Sequence, residues 1–349
     1  MKRQIIGAVG YFDMENTIPN GQTIRTNTVT AALERAIGKR NVKRLCYGNW
    51  RKRPLSLLWS FLQLAHTSRI VLVFPDENAV RFIIPLLVLT KKLFRIKIYY
   101  NVIGGWLPGY LKKHPRLARK MKRLDGLFVQ TSVLKNALEQ LGISNVTIFP
   151  NFKYIKVLDA DQTKGAAIPP YPLCFLSRIT EMKGVGEMIS VVTELNRDQV
   201  RFTLDIYGEA DEDYREPFQE LLKQCPSTIR FCGAAPSNQT SEILSNYFLQ
   251  LFPTKYRTEG FPGSVLDSFC AGVPVLAARW DSWADVITEG QTGLTFELGD
   301  FQDMKRILED IYQNPALVTD MRQTCLEAAK LYQPENVIKI MLEAMQLDG

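Results

Sequence analysis

Two carboxylates flank a glycine–proline turn in the stretch TEGFPGSVLDSF, residues 258–269. Glu259 stands before the turn and Asp267 eight positions later, in an apolar run that predicts a helix. A short acid one turn into a helix can accept hydrogen bonds from vicinal hydroxyls, such as those of a ribose. The alternative for Asp267 alone is an acid favoured by the dipole of the helix N-terminus.

Positive charge for an anion is available in two places. Gly263, Ser264 and Val265 form the first turn of the predicted helix, where unpaired backbone N–H groups and the dipole can bind a phosphate. Arg178 ends a predicted strand, and Lys183 directly precedes the next predicted helix. Two cations there can neutralise the charge of a departing diphosphate. A solvated turn that holds two common cations is the alternative.

The order and spacing of these residues resemble a known family. The pattern R-x4-K is followed by EGFPGSVLDSFCAGVPVLA (259–277) and then by DVITEGQTGLTFELGD (285–300). This arrangement resembles the C-terminal domain of the retaining glycosyltransferases of family 4, whose signature is E-x7-E in a stretch similar to EGFP-x4-EA. The match covers most of residues 172–300 and implies the GT-B fold.

The resemblance implies a donor site made of one acid, two cations and a turn. Its catalytic residues are Glu259, at the hydroxyls of the transferred sugar, and Arg178 and Lys183, at the donor diphosphate. The residues implied to bind the rest of the donor are Asp267, Phe261, Pro262, Gly263, Ser264 and Val265.

The N-terminal half matches the family less closely. The family has a glycine-rich loop after its first strand, and Gly21 in YFDMENTIPNGQTIRT (11–26) is the best match, although a plain Asn-Gly turn explains it equally well. Many members have a His near the donor sugar, whereas the corresponding region here, NVIGGWLPGY, has none. At position 267 an Asp replaces the family's second Glu.

The resemblance also implies front-face attack, in which the leaving phosphate helps to deprotonate the acceptor hydroxyl. The protein then contributes positioning and electrostatics. We therefore expect no cofactor and no metal, with a nucleotide-diphosphate sugar as the donor substrate. A catalytically idle nucleotide-sugar-binding partner subunit is one alternative, and a nucleotide-sugar epimerase or phosphorylase of the same fold is another.

Short apolar, β-rich runs alternate with helical stretches along the whole chain, which predicts an α/β fold with parallel sheets covered on both faces. The pattern indicates two tandem Rossmann-like domains with ligands in the cleft between them. The predicted organisation is an N-terminal acceptor-side domain, a linker, a C-terminal nucleotide-sugar-binding domain and a last helix that returns to the first domain. Their predicted bounds are 1–155, 156–171, 172–330 and 331–349.

Charge divides the 349-residue chain in two. Residues 1–155 hold 26 Lys/Arg against 7 Asp/Glu, whereas residues 156–349 hold 17 against 29, within a net charge of +7. Such asymmetry indicates that the first domain faces an anionic partner. No recognised nucleic-acid-binding motif accompanies the charge, so we do not expect a nucleic acid as the partner. Six scattered cysteines without a CxxC pair suit a reducing compartment.

The segment WLPGYLKKHPRLARKMKRLDG (106–126) predicts a basic amphipathic helix on an anionic bilayer. The alternative is a solvated basic helix packed by its apolar stripe. The apolar stretch 79–90 is too short to span a membrane and predicts a buried or interfacial helix. The residues assigned to the acceptor or membrane side are Trp106, Lys112, Lys113, Arg116, Arg119, Lys120, Lys122 and Arg123.

Together these features predict a retaining glycosyltransferase that moves a sugar to a glycan acceptor. A lipid-linked acceptor in bacterial surface polysaccharide synthesis explains the charge and the aromatic residues together. The apolar run at the N-terminus is too short for a signal peptide, so we expect a cytoplasmic protein, peripheral at the inner face of the membrane.

Overall fold

The computed structural model describes residues 6–12, 21–48, 54–163 and 168–347. The chain forms two compact units. The first contains Met1–Asn151 and Pro334–Gly349, and the second contains Phe152–Gln333. Each unit is built on one six-stranded sheet whose paired strands are all parallel.

The strands of the first sheet are three to five residues long and mostly apolar, except that the second contains Lys43 and Arg44. These strands are β1 (Ile6–Gly10), β2 (Val42–Cys46), β3 (Ile70–Val73), β4 (Lys97–Asn101), β5 (Gly126–Val129) and β6 (Val146–Ile148). Their order is β2-β1-β3-β4-β5-β6, with Ile6 in register with Val42 on one side and Ile70 on the other. Because strands in parallel sheets are covered on both faces, β1 and β3 are buried throughout.

Helices between the strands cover this sheet. They are α1 (Gly21–Ile37), α2 (Pro54–Thr67), α3 (Val80–Phe94), α4 (Leu107–Lys113), α5 (Pro115–Met121) and α6 (Ser132–Glu139). The apolar stretch 79–90, predicted as a buried or interfacial helix, forms most of α3. Its Val80, Ile84 and Leu87 are buried in the core of the unit.

The second unit repeats the design. Its strands are β7 (Tyr171–Leu176), β8 (Phe202–Tyr207), β9 (Ile229–Gly233), β10 (Leu249–Phe252), β11 (Val275–Ala278) and β12 (Gly293–Phe296). Its helices are α7 (Val185–Leu195), α8 (Arg215–Lys223), α9 (Thr240–Leu244), α10 (Gly263–Cys270), α11 (Phe301–Gln313), α12 (Ala316–Thr319) and α13 (Arg322–Leu331). The strand order β12-β11-β10-β7-β8-β9 places β10 beside β7 in the middle of the sheet.

The last helix, α14 (Pro334–Met345), packs against α1 and belongs to the first unit. Ala344, in its last turn, accepts a hydrogen bond from the Tyr99 hydroxyl of β4 at 3.2 Å. The first unit ends at Asn151 rather than at residue 155, because Ile155 is buried in the core of the second unit. Part of the segment 156–171, predicted as a linker, is also attached there, since the Leu158 N–H donates to the Cys270 carbonyl at 2.9 Å.

Candidate functional site

The strand order of the second sheet reverses between β7 and β10. The strand that follows β7, β8, lies on one side of this pair, and the strand that follows β10, β11, lies on the other. In open α/β sheets, ligands bind at the carboxyl ends of the strands at such a switch point. Lys183 follows β7 and Glu259 follows β10. The Lys183 Nζ lies 2.6 Å from the Glu259 Oε2, and the two side chains are only 10% and 19% exposed. The structure thus brings together two of the three predicted catalytic residues.

The loop that carries Lys183 is docked directly on the end of β10. Gly184 has φ 71°, and a Cβ there would lie 2.2 Å from the Pro253 carbonyl oxygen. The Lys255 N–H donates to the Met182 carbonyl at 2.8 Å. Only glycine permits both this backbone conformation and this approach, so the sequence Lys-Gly fixes where the lysine stands.

Aromatic rings and hydrogen bonds hold the two charged groups. The Lys183 ammonium lies 5.2 Å from the ring centre of Phe252 and 5.4 Å from that of Tyr256, within the range of cation–π attraction. The Thr254 hydroxyl donates to Glu259 Oε2 at 3.2 Å, and the Ser282 hydroxyl donates to the Glu259 carbonyl at 3.1 Å. Because both the carboxylate and the backbone carbonyl of Glu259 accept hydrogen bonds, the carboxylate is fixed relative to the Lys183 ammonium.

The helix start that the motif predicts is present. Helix α10 begins at Gly263, and its N-cap is Pro262, whose side chain has no acceptor for the first amides. The N–H groups of Gly263, Ser264 and Val265 therefore face the position where helix N-termini bind anions.

The Phe261 ring is packed inside the unit. The residue is 4% exposed, and its ring meets the Tyr332 ring edge-on at 5.0 Å. The side chain anchors the turn before α10 in the core of the unit. Its implied contact with a donor, like that of Pro262, stays a prediction.

Asp267 lies one turn into α10, with its side chain 3% exposed. Both of its carboxylate oxygens accept hydrogen bonds from the Lys153 ammonium, at 2.7 and 2.6 Å. Burial raises the pKa of the Asp267 carboxyl, and the ammonium opposes that rise. Its implied contact with a ribose stays a prediction, and such a contact would share the carboxylate with Lys153.

Lys153 is the residue at this site that sequence reasoning missed. It lies in NFKY, just after the last strand of the first unit and at the beginning of the second. Nothing in a lone lysine marks it as the partner of an acid 114 positions away. The buried acid itself is the available signal, because a carboxylate removed from water requires a cation nearby.

Arg178 stands apart from the buried pair. Its side chain is 64% exposed and forms an ion pair with Asp211 at 3.3 Å. An exposed guanidinium can turn towards an anion at little cost, since surface ion pairs are weak. Its predicted role at the diphosphate stays a prediction.

In the first unit, Gly21 is the first residue of α1 and is exposed. The loop residues 13–20 before it lie outside the described part of the chain. Asn101 ends β4 in the region where the family has a His, and it is 1% exposed. Its side-chain oxygen has no hydrogen-bond partner among the described residues.

The predicted membrane helix differs from the structure. Residues 106–126 form two short helices, α4 and α5, and the apolar stripe Leu117, Met121 and Leu124 is buried in the core. Trp106 is also packed there, with its indole N–H bonded to the Ile103 carbonyl at 2.9 Å. The prediction of an apolar face on a bilayer is wrong for this segment, because that face is packed in the core of the unit, where α5 contacts α3 and α4. Its basic side chains are at the surface, with Lys120 half-buried and the others exposed: Lys112, Lys113, Arg116, Arg119, Lys122 and Arg123.

Within the described residues, no three His, Cys, Asp or Glu side chains form a group that can hold a metal ion. In the same residues, no helix is both long and apolar enough to span a bilayer. The six cysteines are all free thiols.

Comparison with known proteins identifies the domain that carries the buried pair. Residues 161–331, just under half of the chain, match the family model described as glycosyl transferases group 1. Glycogen synthase of Mycobacterium tuberculosis is 22% identical over 222 residues, which cover 61% of this chain and 52% of that protein. These findings support a glycosyltransferase.

Two further comparisons concern the fold and a lipid-related relative. HepE of Anabaena, solved in complex with UDP-glucose, has a TM-score of 0.75 and is 13% identical, with 99% of this chain and 100% of that chain covered. This likeness shows the GT-B fold with its two Rossmann-like domains. Alpha-galactosylglucosyldiacylglycerol synthase of Streptococcus pneumoniae is 22% identical over 255 residues, or 69% of this chain and 65% of that protein. The chain thus spans between about half and two thirds of the length of these curated relatives.

Proposed function

We propose that this chain is a retaining glycosyltransferase that moves a sugar from a nucleotide-diphosphate sugar to a glycan acceptor. The observation that carries the proposal is the buried Lys183–Glu259 pair at the switch point of the second sheet. A buried ion pair contributes little to stability on average, so its presence at a ligand-binding edge favours a functional role. The chain's likeness to HepE, which was solved with UDP-glucose, favours a UDP-sugar donor.

In this proposal, the donor diphosphate lies between the Lys183 ammonium and the first amides of α10. The Lys183 ammonium then donates hydrogen bonds to the phosphate oxygens and interacts less with Glu259. The freed carboxylate oxygen of Glu259 accepts a hydrogen bond from a sugar hydroxyl. Arg178 turns from Asp211 towards the same diphosphate. These groups compensate the charge that develops on the leaving diphosphate, which is the task of the protein in such a transfer. No step requires a metal or another cofactor.

The acceptor in this proposal is lipid-linked, and the protein acts at the cytoplasmic face of a membrane in surface polysaccharide synthesis. The strongly basic first unit supports an anionic partner. The name of the pneumococcal relative, a synthase of a glycosyldiacylglycerol, supports a lipid acceptor.

The donor side is tested with the purified chain and a panel of UDP-, GDP- and other nucleotide sugars. A donor that binds the folded state raises the melting temperature, and transfer or slow hydrolysis releases the nucleotide diphosphate. Lys183→Met removes an electrostatic contact that strengthens in the transition state, so we expect kcat to fall by about 10²- to 10³-fold. Glu259→Gln keeps the shape of the side chain and should also lose turnover.

Lys305→Met is the matched control. The Lys305 ammonium of α11 also binds a carboxylate of the second unit, Glu194 of α7, at 2.7 Å, but that carboxylate is 40% exposed and stays hydrated without its partner. The control should keep kcat near that of the wild type. Equal turnover in Lys183→Met and the wild type would contradict the site, and donor binding without any release of nucleotide diphosphate would favour the idle partner subunit.

A further inference from the structure

Helix α3 is apolar on two faces, and only one of them is covered. Val80, Ile84 and Leu87 are 0% exposed in the core. On the other face, Phe82, Leu89 and Leu93 are 54%, 75% and 73% exposed. Helices that are apolar all round are normally buried, so this open face requires an explanation.

Helix α2 contributes a second row of apolar side chains. Leu55, Leu58 and Trp59, at helical spacing, are 80%, 38% and 64% exposed. The segment of α2 whose side chains are described contains no Lys, Arg, Asp or Glu. We call the exposed apolar residues of α2 and α3 together the α2–α3 face.

An apolar pocket of about 230 Å³ opens between the two helices. Its walls come mainly from Leu57, Leu58 and Phe61 of α2 and from Phe82, Ile83 and Leu86 of α3. The one polar group on its lining side chains, the Tyr47 hydroxyl, donates to the Phe74 carbonyl at 3.1 Å. The volume is below the ~300–1,000 Å³ of pockets that hold a whole ligand, so it suits one hydrocarbon chain rather than a polar molecule.

A cationic pocket of about 360 Å³ lies on another side of the same helix. Arg81 and Pro85 of α3 line it together with Lys113, Arg116 and Lys120 of the α4–α5 corner. Arg81 precedes Phe82 directly, so the cationic and apolar pockets adjoin along α3. The apolar stripe of the α4–α5 corner is itself buried. The exposed apolar side chains next to its basic residues are therefore those of α3.

The charge around this face selects among possible occupants. Residues 78–124 hold twelve Lys/Arg and no Asp/Glu. A second copy that docked by its own α2–α3 face would bring like charges together, which costs association energy. Asp125, just outside this range, pairs with Lys91 at 2.8 Å, and the remaining basic side chains still leave a large positive excess. Apolar side chains beside such an excess of cations match the surface of an anionic bilayer, where hydrocarbon and phosphate are adjacent.

We propose that the α2–α3 face docks on an anionic phospholipid bilayer, with one hydrocarbon chain in the apolar pocket and lipid phosphate at the cationic pocket. This proposal adds a membrane-binding surface to the proposed function. It rests on the proposed function in one respect, that the acceptor is carried by the membrane. Docking itself needs neither donor nor transfer. A test of binding alone therefore separates a failure of this proposal from a failure of the proposed activity.

The test is flotation of the full chain with phosphatidylcholine vesicles that contain or lack phosphatidylglycerol. We expect strong flotation with the anionic vesicles, reduced by salt, and weak flotation with the neutral ones. Leu89→Ser with Leu93→Ser removes two exposed apolar side chains that insert into hydrocarbon, so binding should weaken at least ~10-fold. Arg81→Gln with Arg116→Gln should reduce the preference for anionic vesicles and leave the binding to neutral ones unchanged.

Matched control substitutions lie in the second unit. Ile168 and Leu331 are 75% and 68% exposed, close to the values for Leu89 and Leu93. The double variant Ile168→Ser/Leu331→Ser should float like the wild type. Equal flotation of the Leu89/Leu93 variant and the wild type would overturn the proposal, as would no flotation of the wild type with either vesicle.

Fluorescence locates the contact. Phospholipids brominated in their acyl chains quench a tryptophan only where it reaches hydrocarbon, and the chain has five tryptophans. Quenching should be present in the wild type and lost in Trp59→Phe. Undiminished quenching in Trp59→Phe would place the contact elsewhere. A wild-type dimer that does not float and that the Leu89/Leu93 variant abolishes would identify a second copy as the occupant and overturn the bilayer.

Discussion

The two units share one architecture and distribute their chemistry differently. Each is a six-stranded parallel sheet whose strand order reverses once, between β1 and β3 in the first unit and between β10 and β7 in the second. In the second unit, two carboxylates are paired with lysines at 2.6 Å, the buried Asp267 and the half-buried Glu259. In the first unit, Arg25 is buried, but the cations of α3 to α5 lie mostly at the surface beside exposed apolar side chains. Charge that is buried and paired suits a small anionic donor, whereas charge left at the surface beside apolar side chains suits an extended anionic partner.

This contrast also explains why the second unit has a recognisable sequence motif and the first unit has none. Paired buried charges require particular residues at fixed spacing, and such spacing produces a motif. A docking face requires only that apolar and basic side chains share a surface. Many sequences satisfy that condition, so no motif results.

The largest expected effect concerns the pair Lys153–Asp267. Lys153→Met leaves a carboxylate buried without its cation, so the free energy of unfolding at neutral pH should fall by about 3–5 kcal/mol. Chemical denaturation monitored by circular dichroism measures it. Asp267→Asn in the Lys153→Met background removes the unpaired charge and should restore part of the loss.

Lys305→Met is the matched control for this experiment. Lys305 is 22% exposed and binds Glu194 at 2.7 Å, against 25% and 2.6 Å for Lys153, but Glu194 is 40% exposed whereas Asp267 is 3% exposed. Because the carboxylate that remains can be hydrated, this substitution should cost much less than Lys153→Met does. Equal losses in the two variants would show that burial of the acid is not what distinguishes the pairs.

The pH dependence has a definite sign. Burial raises the pKa of folded Asp267, so the folded state binds a proton more readily than the unfolded state. The contribution of this group to stability is then greatest below its unfolded pKa of about 3.9 and is lost as pH rises through the folded pKa. Removal of the Lys153 ammonium enlarges this effect. The stability deficit of Lys153→Met should therefore be smaller at pH 5 than at pH 8, and a deficit that grows towards acid pH would contradict the assignment.

A smaller effect is expected at Arg178, the exposed member of the predicted donor site. Its bond to Asp211 joins side chains that are 64% and 42% exposed, so Arg178→Ala should change the free energy of unfolding by no more than about 0.5 kcal/mol. For the donor we expect KM to rise by up to about tenfold, since a single charge-assisted bond is lost. Steady-state kinetics beside Lys183→Met measures the difference. A loss of kcat as large as that of Lys183→Met would show that Arg178 acts in the transition state despite its exposure.

Sequence reasoning predicted the α/β fold, the parallel sheets and most elements, because buried strands are read directly from short apolar runs. The family resemblance also assigned Lys183 and Glu259 to one donor site, and the structure brings their side chains within 2.6 Å. The Lys153–Asp267 bond escaped it, because contact across 114 positions depends on how the chain folds back. The basic segment 106–126 was assigned to a bilayer because an apolar stripe has the same period whether it faces lipid or a sheet.

The smallest expected effect tests whether the open face of α3 is without a partner in the isolated chain. Leu93 is 73% exposed, so Leu93→Ser should change the free energy of unfolding by no more than about 0.5 kcal/mol. Leu87, on the same helix, is 0% exposed, and Leu87→Ala should cost about 2–5 kcal/mol. Denaturation without lipid measures both. A large loss for Leu93→Ser would mean that the protein itself covers this face in solution, whereas stability without Leu93 combined with weakened vesicle binding leaves the bilayer as the partner that the first unit requires.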